Sequence, residues 1–237
     1  SRLQIILVLM FCFTSVNAGE EFYNKNNNTQ IKLIDSNIYE SILSFSFQDY
    51  QLEEVLVDNE LFHKVKIEGG TQFLSEGNPD LPSVNTSIII PDYSNMIVEI
   101  ISEDYIEVEN INIVPSKGNL SRSINPNNVP YVFSDNYNIN SFYPSSIVSL
   151  GDPYVLRDLR GQSVNIFPVQ YNPVSKTLRF YKEVKIRVYE DPNNKIQNNI
   201  FERKVSAPKV TKDFKSIYEN LFINYNSNTR FNYLDDY

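Results

Sequence analysis

The sequence predicts an all-β fold, an antiparallel β-sandwich with one C-terminal α-helix. Three observations carry that prediction. Apolar and polar residues alternate over a series of short segments, the period of a half-buried strand. Prolines punctuate the chain between these segments, at Pro79, Pro82, Pro91, Pro115, Pro126, Pro130, Pro144 and Pro153, as loop residues do. Only one stretch, near the C-terminus, repeats its apolar residues at helical spacing. The chain has 237 residues, of which 41% are hydrophobic. That supports one domain with a real core and is short for two.

Residues 1–18, SRLQIILVLMFCFTSVNA, have the layout of a secretory signal. Arg2 gives a short basic start, Ile5 to Phe13 an apolar stretch, and Val16-Asn17-Ala18 precede a cut between Ala18 and Gly19. The apolar run is too short to span a bilayer. A lipid anchor at Cys12 is disfavoured by the bulky Met10-Phe11 before it. The protein is therefore expected to be secreted, with no membrane attachment once the signal is removed. Removal takes away the one Cys, so the core must hold the fold without disulfides.

Residues 19–30 are polar and Asn-rich, and predict a disordered lead-in. Strands are expected next around Ile42, Leu43, Phe45 and Phe47, then around Leu61, His63, Val65 and Ile67. Ser87 to Ile90, Met96 to Ile101 and Ile106 to Val114 continue the pattern. Val164 to Val169 and Leu178 to Val188 are the clearest pair. In the second, Leu178, Phe180, Val184, Ile186 and Val188 point one way, and Arg179, Tyr181, Glu183, Lys185 and Arg187 the other. The link Tyr171 to Lys176 reads as a turn, which makes the two a hairpin. Thr211 can cap a helix over Lys212 to Asn224, with Phe214, Ile217, Tyr218, Leu221 and Phe222 at i, i+3, i+4, i+7 and i+8. That face is expected to dock on the sandwich through Phe214, Ile217, Leu221 and Phe222.

The formal net charge is −8. It argues against nucleic acid and anionic lipid, both of which select a basic face. Catalytic chemistry is absent from the pattern. Cys12 lies in the signal, and His63 alternates with apolar residues as an ordinary sheet His does. No Cys/His cluster has zinc spacing, no phosphate loop or nucleophile elbow occurs, and no cofactor is expected. Glu53-Glu54 and Asp235-Asp236 read as solvated charge, and Glu103-Asp104 as a loop between strands.

Two arginines remain in polar, accessible sequence. Arg122, followed by Ser123, sits in PSKGNLSRSINP, and Arg230, followed by Phe231, in NYNSNTRF. On residues alone each is either a solvated surface Arg or a bond for a trypsin-like specificity to cut. Lys117, in the first loop, and Arg160, in LRDLRGQ, are rivals. Arg160 sits beside a strand start, where a structural ion pair with Asp158 or another carboxylate is expected.

At these residues the chain resembles the pro-region of arginine-specific gingipains, cysteine peptidases made as zymogens. The segments GNPDLP (77–82), VPSKGNLSRSINPNNVPYVF (114–133), SFYPSSIVSLGDPYVLRDLRGQSVNIFPVQYNPVSKTLRFY (141–181) and FKSIYENLFINY (214–225) carry it, in the family's order. The match is dense from about Gly70 to Tyr225 and loose before. The resemblance implies an all-β pro-region that assists folding of its peptidase domain and blocks it until secretion. It implies that Arg122 enters the specificity pocket and marks an early cut before Ser123. It implies a terminal cut between Arg230 and Phe231, so that 31–230 is the pro-region and 231–237 begins the peptidase domain. The cognate peptidase domain of the same precursor is the implied partner, and the pro-region itself has no catalytic residues. A β-sandwich adhesion or carbohydrate-binding module is the alternative, since the chain has 16 Tyr. A free-standing inhibitor is a third reading.

Overall fold

The computed structural model describes residues 28–193, 199–202 and 212–225. The signal with its Ala18–Gly19 cut, the Thr211 cap, Asp235-Asp236, Arg230 and Phe231 lie outside them. The strands are β1 (Thr29–Ser36), β2 (Glu40–Phe47), β3 (Gln51–Val57), β4 (Glu60–Lys66), β5 (Thr71–Gln72), β6 (Pro82–Ile89), β7 (Met96–Val108), β8 (Val148–Leu150), β9 (Tyr154–Leu156), β10 (Leu159–Ile166), β11 (Val169–Asn172) and β12 (Thr177–Glu190), followed by helix α1 (Lys212–Leu221). They form two five-stranded sheets and one separate hairpin, with every strand pair antiparallel.

The long strand β12 organises the first sheet. One edge pairs with β11 over Thr177 to Phe180 and with β2 over Glu183 to Tyr189. The opposite edge carries β7 along nearly its whole length, and β1 extends the sheet beyond β2. In the second sheet β10 is central, with β6 on one side and β8 and β9 on the other, and β5 beyond β6. Leu43, Phe45, Val184, Ile186 and Val188 of the first sheet share one core with Val84, Ile88, Val164 and Ile166 of the second. The hairpin of β3 and β4 turns on Asp58 and Asn59, at φ 50° and 70°. These are short polar residues that tolerate the left-handed region a tight hairpin requires.

The all-β sandwich with one C-terminal helix is as predicted, and several of its details are not. The turn at Tyr171 to Lys176 does make a hairpin, but β11 is the partner of β12. Val164 to Ile166 belong to β10 in the other sheet. The chain changes sheets at Phe167-Pro168, where Pro168 has no N–H to continue a ladder. Tyr181 shares a face with Arg179 and Gln170 as expected but is buried there: its ring packs on Tyr105 at 5.3 Å between centroids and its hydroxyl donates to Gln170 Oε1 at 2.6 Å. Glu103 and Asp104 are strand residues of β7, opposite Val184 and Glu183. The lead-in also ends early, because β1 starts at Thr29, a buried residue whose hydroxyl donates to the Glu68 carbonyl.

Helix α1 stops at Leu221, short of Asn224, because Phe222 already bridges to Ser87 of β6. It docks on a different azimuth from the expected one. Tyr218 is 0% exposed and Phe222 1%, whereas Ile217 is 46% and Leu221 36% exposed. The apolar stripe is wider than the contact, and the Tyr218 hydroxyl, which donates to Asp158 Oδ2 at 3.2 Å, sets which part of it lies at the centre. Leu221→Ala is thus expected to cost roughly 1 kcal/mol or less, the range of surface substitutions. Chemical denaturation checks this, and a loss of several kcal/mol would contradict it.

Candidate functional site

The candidate site is the segment from Val114 to Ser134, which leaves the sandwich and returns to it. On the outgoing side, Asp80 N donates to the Val114 carbonyl (2.9 Å), Ser116 N to the Asn78 carbonyl (2.7 Å) and Gly77 N to the Ser116 carbonyl (2.9 Å). On the return, Ser134 N donates to the Gly77 carbonyl at 2.9 Å. Asn78 Oδ1 accepts from Ser134 Oγ at 2.8 Å and from Asn136 Nδ2 at 2.6 Å. The dipeptide Gly77-Asn78 therefore grips both stems. Gly77 sits at φ 77°, and a Cβ there would lie 3.2 Å from Ser134 Cβ, so both conformation and space call for glycine.

Behind the return stem, Tyr137 donates to the Ile113 carbonyl at 2.9 Å and stands edge-on to Phe133 at 4.7 Å between centroids. Burial raises the Tyr137 pKa, keeping the phenol a neutral donor. Phe133 in turn meets Phe62 of β4 at 5.6 Å.

The apex is a turn in which Ile124 N donates to the Ser121 carbonyl at 2.9 Å, with Arg122 and Ser123 at its two central positions. Residues 121–128 are all exposed. Among the described residues the Arg122 guanidinium has neither a hydrogen bond nor an ion pair. Just past the apex, Asn125 Oδ1 accepts from Asn127 N at 3.0 Å and caps a single turn of 3-10 helix, Pro126–Asn128. Such a loop presents a planar, permanently charged fork on a supported base, suited to a pocket with a buried carboxylate.

The rivals are placed differently. Arg160 is fully buried. Its Nε donates to the Asn199 carbonyl at 2.8 Å, and its Nη1 to the carbonyls of Pro91 and Ser94, both at 2.6 Å. Its role is structural as expected, with three backbone carbonyls as acceptors and Asp92 as a nearby carboxylate, whereas Asp158 takes Arg157 Nε at 3.3 Å and the Tyr218 hydroxyl. Burial lowers the Arg160 pKa, and nearby Asp92 opposes this. Lys117 lies inside the Arg122 loop, half-buried. His63 pairs into β4, with Nδ1 3.3 Å from the Asn112 carbonyl, and Glu53 forms an ion pair with Lys66. Among the described residues no group of three or more His, Cys, Asp or Glu could hold a metal.

One feature escaped the sequence reading. Beyond α1, Ile223 N donates to the Ser87 carbonyl at 3.0 Å. The buried Asn224 side chain then acts as an added strand residue: Oδ1 accepts from Ile89 N at 2.7 Å, and Nδ2 donates to the Ile89 carbonyl and to Ser41 Oγ, both at 3.0 Å. It stitches β6 to β2 across the two sheets, six positions before Arg230. The signal was a lone Asn inside the apolar string LFINY. Asn224→Leu is expected to destabilise by about 1–3 kcal/mol for each buried group left unpaired. An unchanged denaturation midpoint would show that water or a rearrangement replaces it.

A family model described as Propeptide_C25 matches residues 21–224. Gingipain R2 of Porphyromonas gingivalis is 35% identical over 222 residues, covering 92% of this chain and 30% of the relative. Gingipain R1 of the same organism is 34% identical over 200 residues, covering 84% of this chain and 20% of the relative. The chain thus spans about a third or less of the relatives it matches. The solved complex of P. gingivalis RgpB pro- and mature domains matches with a TM-score of 0.74 and 34% identity, over 84% of this chain and 100% of that one. A structure concerned with zymogenic latency of gingipain K from P. gingivalis shares the fold at 22% identity, with a TM-score of 0.59, over 73% of this chain and 99% of that one. With the family model spanning most of the chain and the fold and relatives in agreement, the chain belongs to the Propeptide_C25 family and is a gingipain pro-region.

Proposed function

We propose that this pro-region keeps an arginine-specific, gingipain-type cysteine peptidase latent by offering Arg122 to its specificity pocket. The observation that carries the reading is the placement of Arg122 at an exposed apex whose two stems are both held by Gly77-Asn78. A loop ordered before binding loses little entropy on docking. The body of the sandwich then supplies the rest of the contact surface, so the arginine binds as a substrate side chain does but stays. Cleavage between Arg122 and Ser123 leaves both stems attached, and release requires the further cut after Arg230. The N-terminal signal, cut between Ala18 and Gly19, sends the precursor out of the cytoplasm, and the pro-region assists folding of the peptidase domain on the way. The solved pairing of a related pro-domain with its mature domain supports a peptidase as the partner.

The reading is tested by adding the purified chain to the mature domain of an arginine-specific gingipain. Inhibition of arginyl-reporter hydrolysis that saturates at one chain per peptidase is expected. Alone, the chain is expected to hydrolyse neither arginyl nor lysyl reporters, and turnover that survives repurification would overturn its assignment as a non-enzyme. Failure to inhibit would overturn the latency role.

A further inference from the structure

The loop that carries Arg122 has a tie across it. Lys117 Nζ donates to the Pro126 carbonyl at 2.8 Å and stands 4.0 Å from the centroid of the Tyr131 ring. Lys117 precedes the Arg122–Ser123 bond, whereas Pro126 and Tyr131 follow it. The ammonium therefore joins the two sides of the bond that the proposed mechanism exposes to cleavage. Two attractive contacts hold it, a charge-assisted hydrogen bond and a cation–π contact. The backbone next to it is fixed as well: Gly118 lies at φ 72°, its position facing Glu76.

We propose that Lys117 is a positioning residue that makes the Arg122 loop an inhibitor rather than a substrate. The inference rests on the reading of Arg122 as the pocket-filling side chain. Hydrolysis of the Arg122–Ser123 bond consumes one water: its hydroxyl joins the Arg122 carbonyl carbon, a proton goes to the Ser123 nitrogen, and the C–N bond breaks. What happens next depends on how far the new ends can move. Held at Ser134, and beside the cut by nothing stronger than the single turn bond from Ile124 N to the Ser121 carbonyl, the downstream arm would comprise residues 123–133; with Pro126 also tied to Lys117 it comprises 123–125. The reach of a flexible arm grows roughly as the square root of its length, so the tie confines the Ser123 amine near the Arg122 carboxyl. Confinement raises its effective concentration for the reverse reaction and slows its departure. Before cleavage, the same tie fixes the spacing of apex and stem.

The test compares wild type, Lys117→Met, Lys117→Arg and Arg122→Ala against the mature domain of an arginine-specific gingipain. It records the inhibition constant, the rate of cleavage between Arg122 and Ser123 in the complex, and the melting temperature of each free chain. Methionine keeps the length and packing of the stem and removes the charge and the donors. Lys117→Met is expected to be cut about tenfold faster and to inhibit about tenfold more weakly, with an unchanged melting temperature, and Lys117→Arg to behave like wild type. Lys117→Met cut and bound like wild type, while Arg122→Ala loses inhibition, overturns the tie and leaves the Arg122 reading intact. Arg122→Ala inhibiting as well as wild type overturns that reading and the tie with it. A melting temperature that falls in step with inhibition assigns Lys117 to the support of the fold and also overturns the proposal.

Discussion

Arg122→Ala is expected to weaken inhibition of an arginine-specific gingipain domain by about 30-fold to several-thousand-fold, roughly 2–5 kcal/mol. The wide range reflects what is lost, a charge-assisted fork and the pairing of a carboxylate that stays buried in the pocket. The fold should not change, because the Arg122 guanidinium makes no contact that holds the described structure. Arg122→Lys should fall between the two, since a point charge on a flexible stem fills the same space without the bidentate geometry. Arg160→Ala is the informative opposite. It removes a buried side chain that ties Pro91, Ser94 and Asn199 together, so its damage should appear first in the denaturation curve and only secondarily in inhibition. If Arg122→Ala inhibits like wild type and a folded Arg160→Ala does not, the inhibitory element is the RDLRG segment and the assignment of Arg122 is wrong.

Gly161→Ala is expected to be the most damaging small substitution to stability. A Cβ at Gly161 would lie 2.5 Å from Phe222 Cε1 and 3.0 Å from Tyr154 Cζ. Both rings are already stacked over β10 at 6.2 Å between centroids, and Phe222 is 1% exposed. Relief requires that the segment after α1 lift off β6, and with it Tyr218, Ile223 and Asn224. Phe222→Ala alone should cost about 3–5 kcal/mol, a large share of the roughly 5–15 kcal/mol that holds a domain together. Gly161→Ala should cost a comparable amount by forcing the same separation. The check is a double-mutant cycle. In a Phe222→Leu background the added methyl has room, so Gly161→Ala should be much less harmful there than in wild type. Equal cost in both backgrounds would mean that the clash is not with Phe222.

What was legible in the sequence depended on whether the signal was local. β12 could be read because a half-buried strand of 14 residues repeats its pattern many times. The run Val164 to Val169 could not be divided correctly, because an apolar stretch buried on both sides looks the same before and after the chain changes sheets. Glu103-Asp104 resembled a loop because β7 is exposed along most of its length, and a strand that buries little needs no alternation. In α1 the spacing of Phe214, Ile217, Tyr218, Leu221 and Phe222 identified the helix and its apolar side, but not its rotation, which the Tyr218–Asp158 hydrogen bond fixes from 60 residues away. The exposure of Arg122 was legible in the polar composition around it. The Lys117 tie and the Asn224 stitch were not, because each depends on a turn or a fold that brings distant backbone to a side chain.

Among the described residues β7 pairs with β12 alone, so a row of thirteen residues' worth of strand backbone lies along a free edge. Ile100, Ile101, Tyr105 and Ile106 are exposed on it, a combination that invites the same edge of a second copy to join. Glu99, Glu103, Asp104 and Glu107 lie along the same strand, and two register shifts in its pairing with β12 bend it out of line. Glu99 and Glu107 pair with Arg187 and Arg179, so a second copy would bring chiefly its own Glu103 and Asp104 and its own bend, and the two edges repel and fit poorly. The acidic pair that the sequence placed in a loop is thus expected to act as a safeguard against fibre formation. Its neutralisation to Gln and Asn should show as concentration-dependent aggregation at unchanged stability.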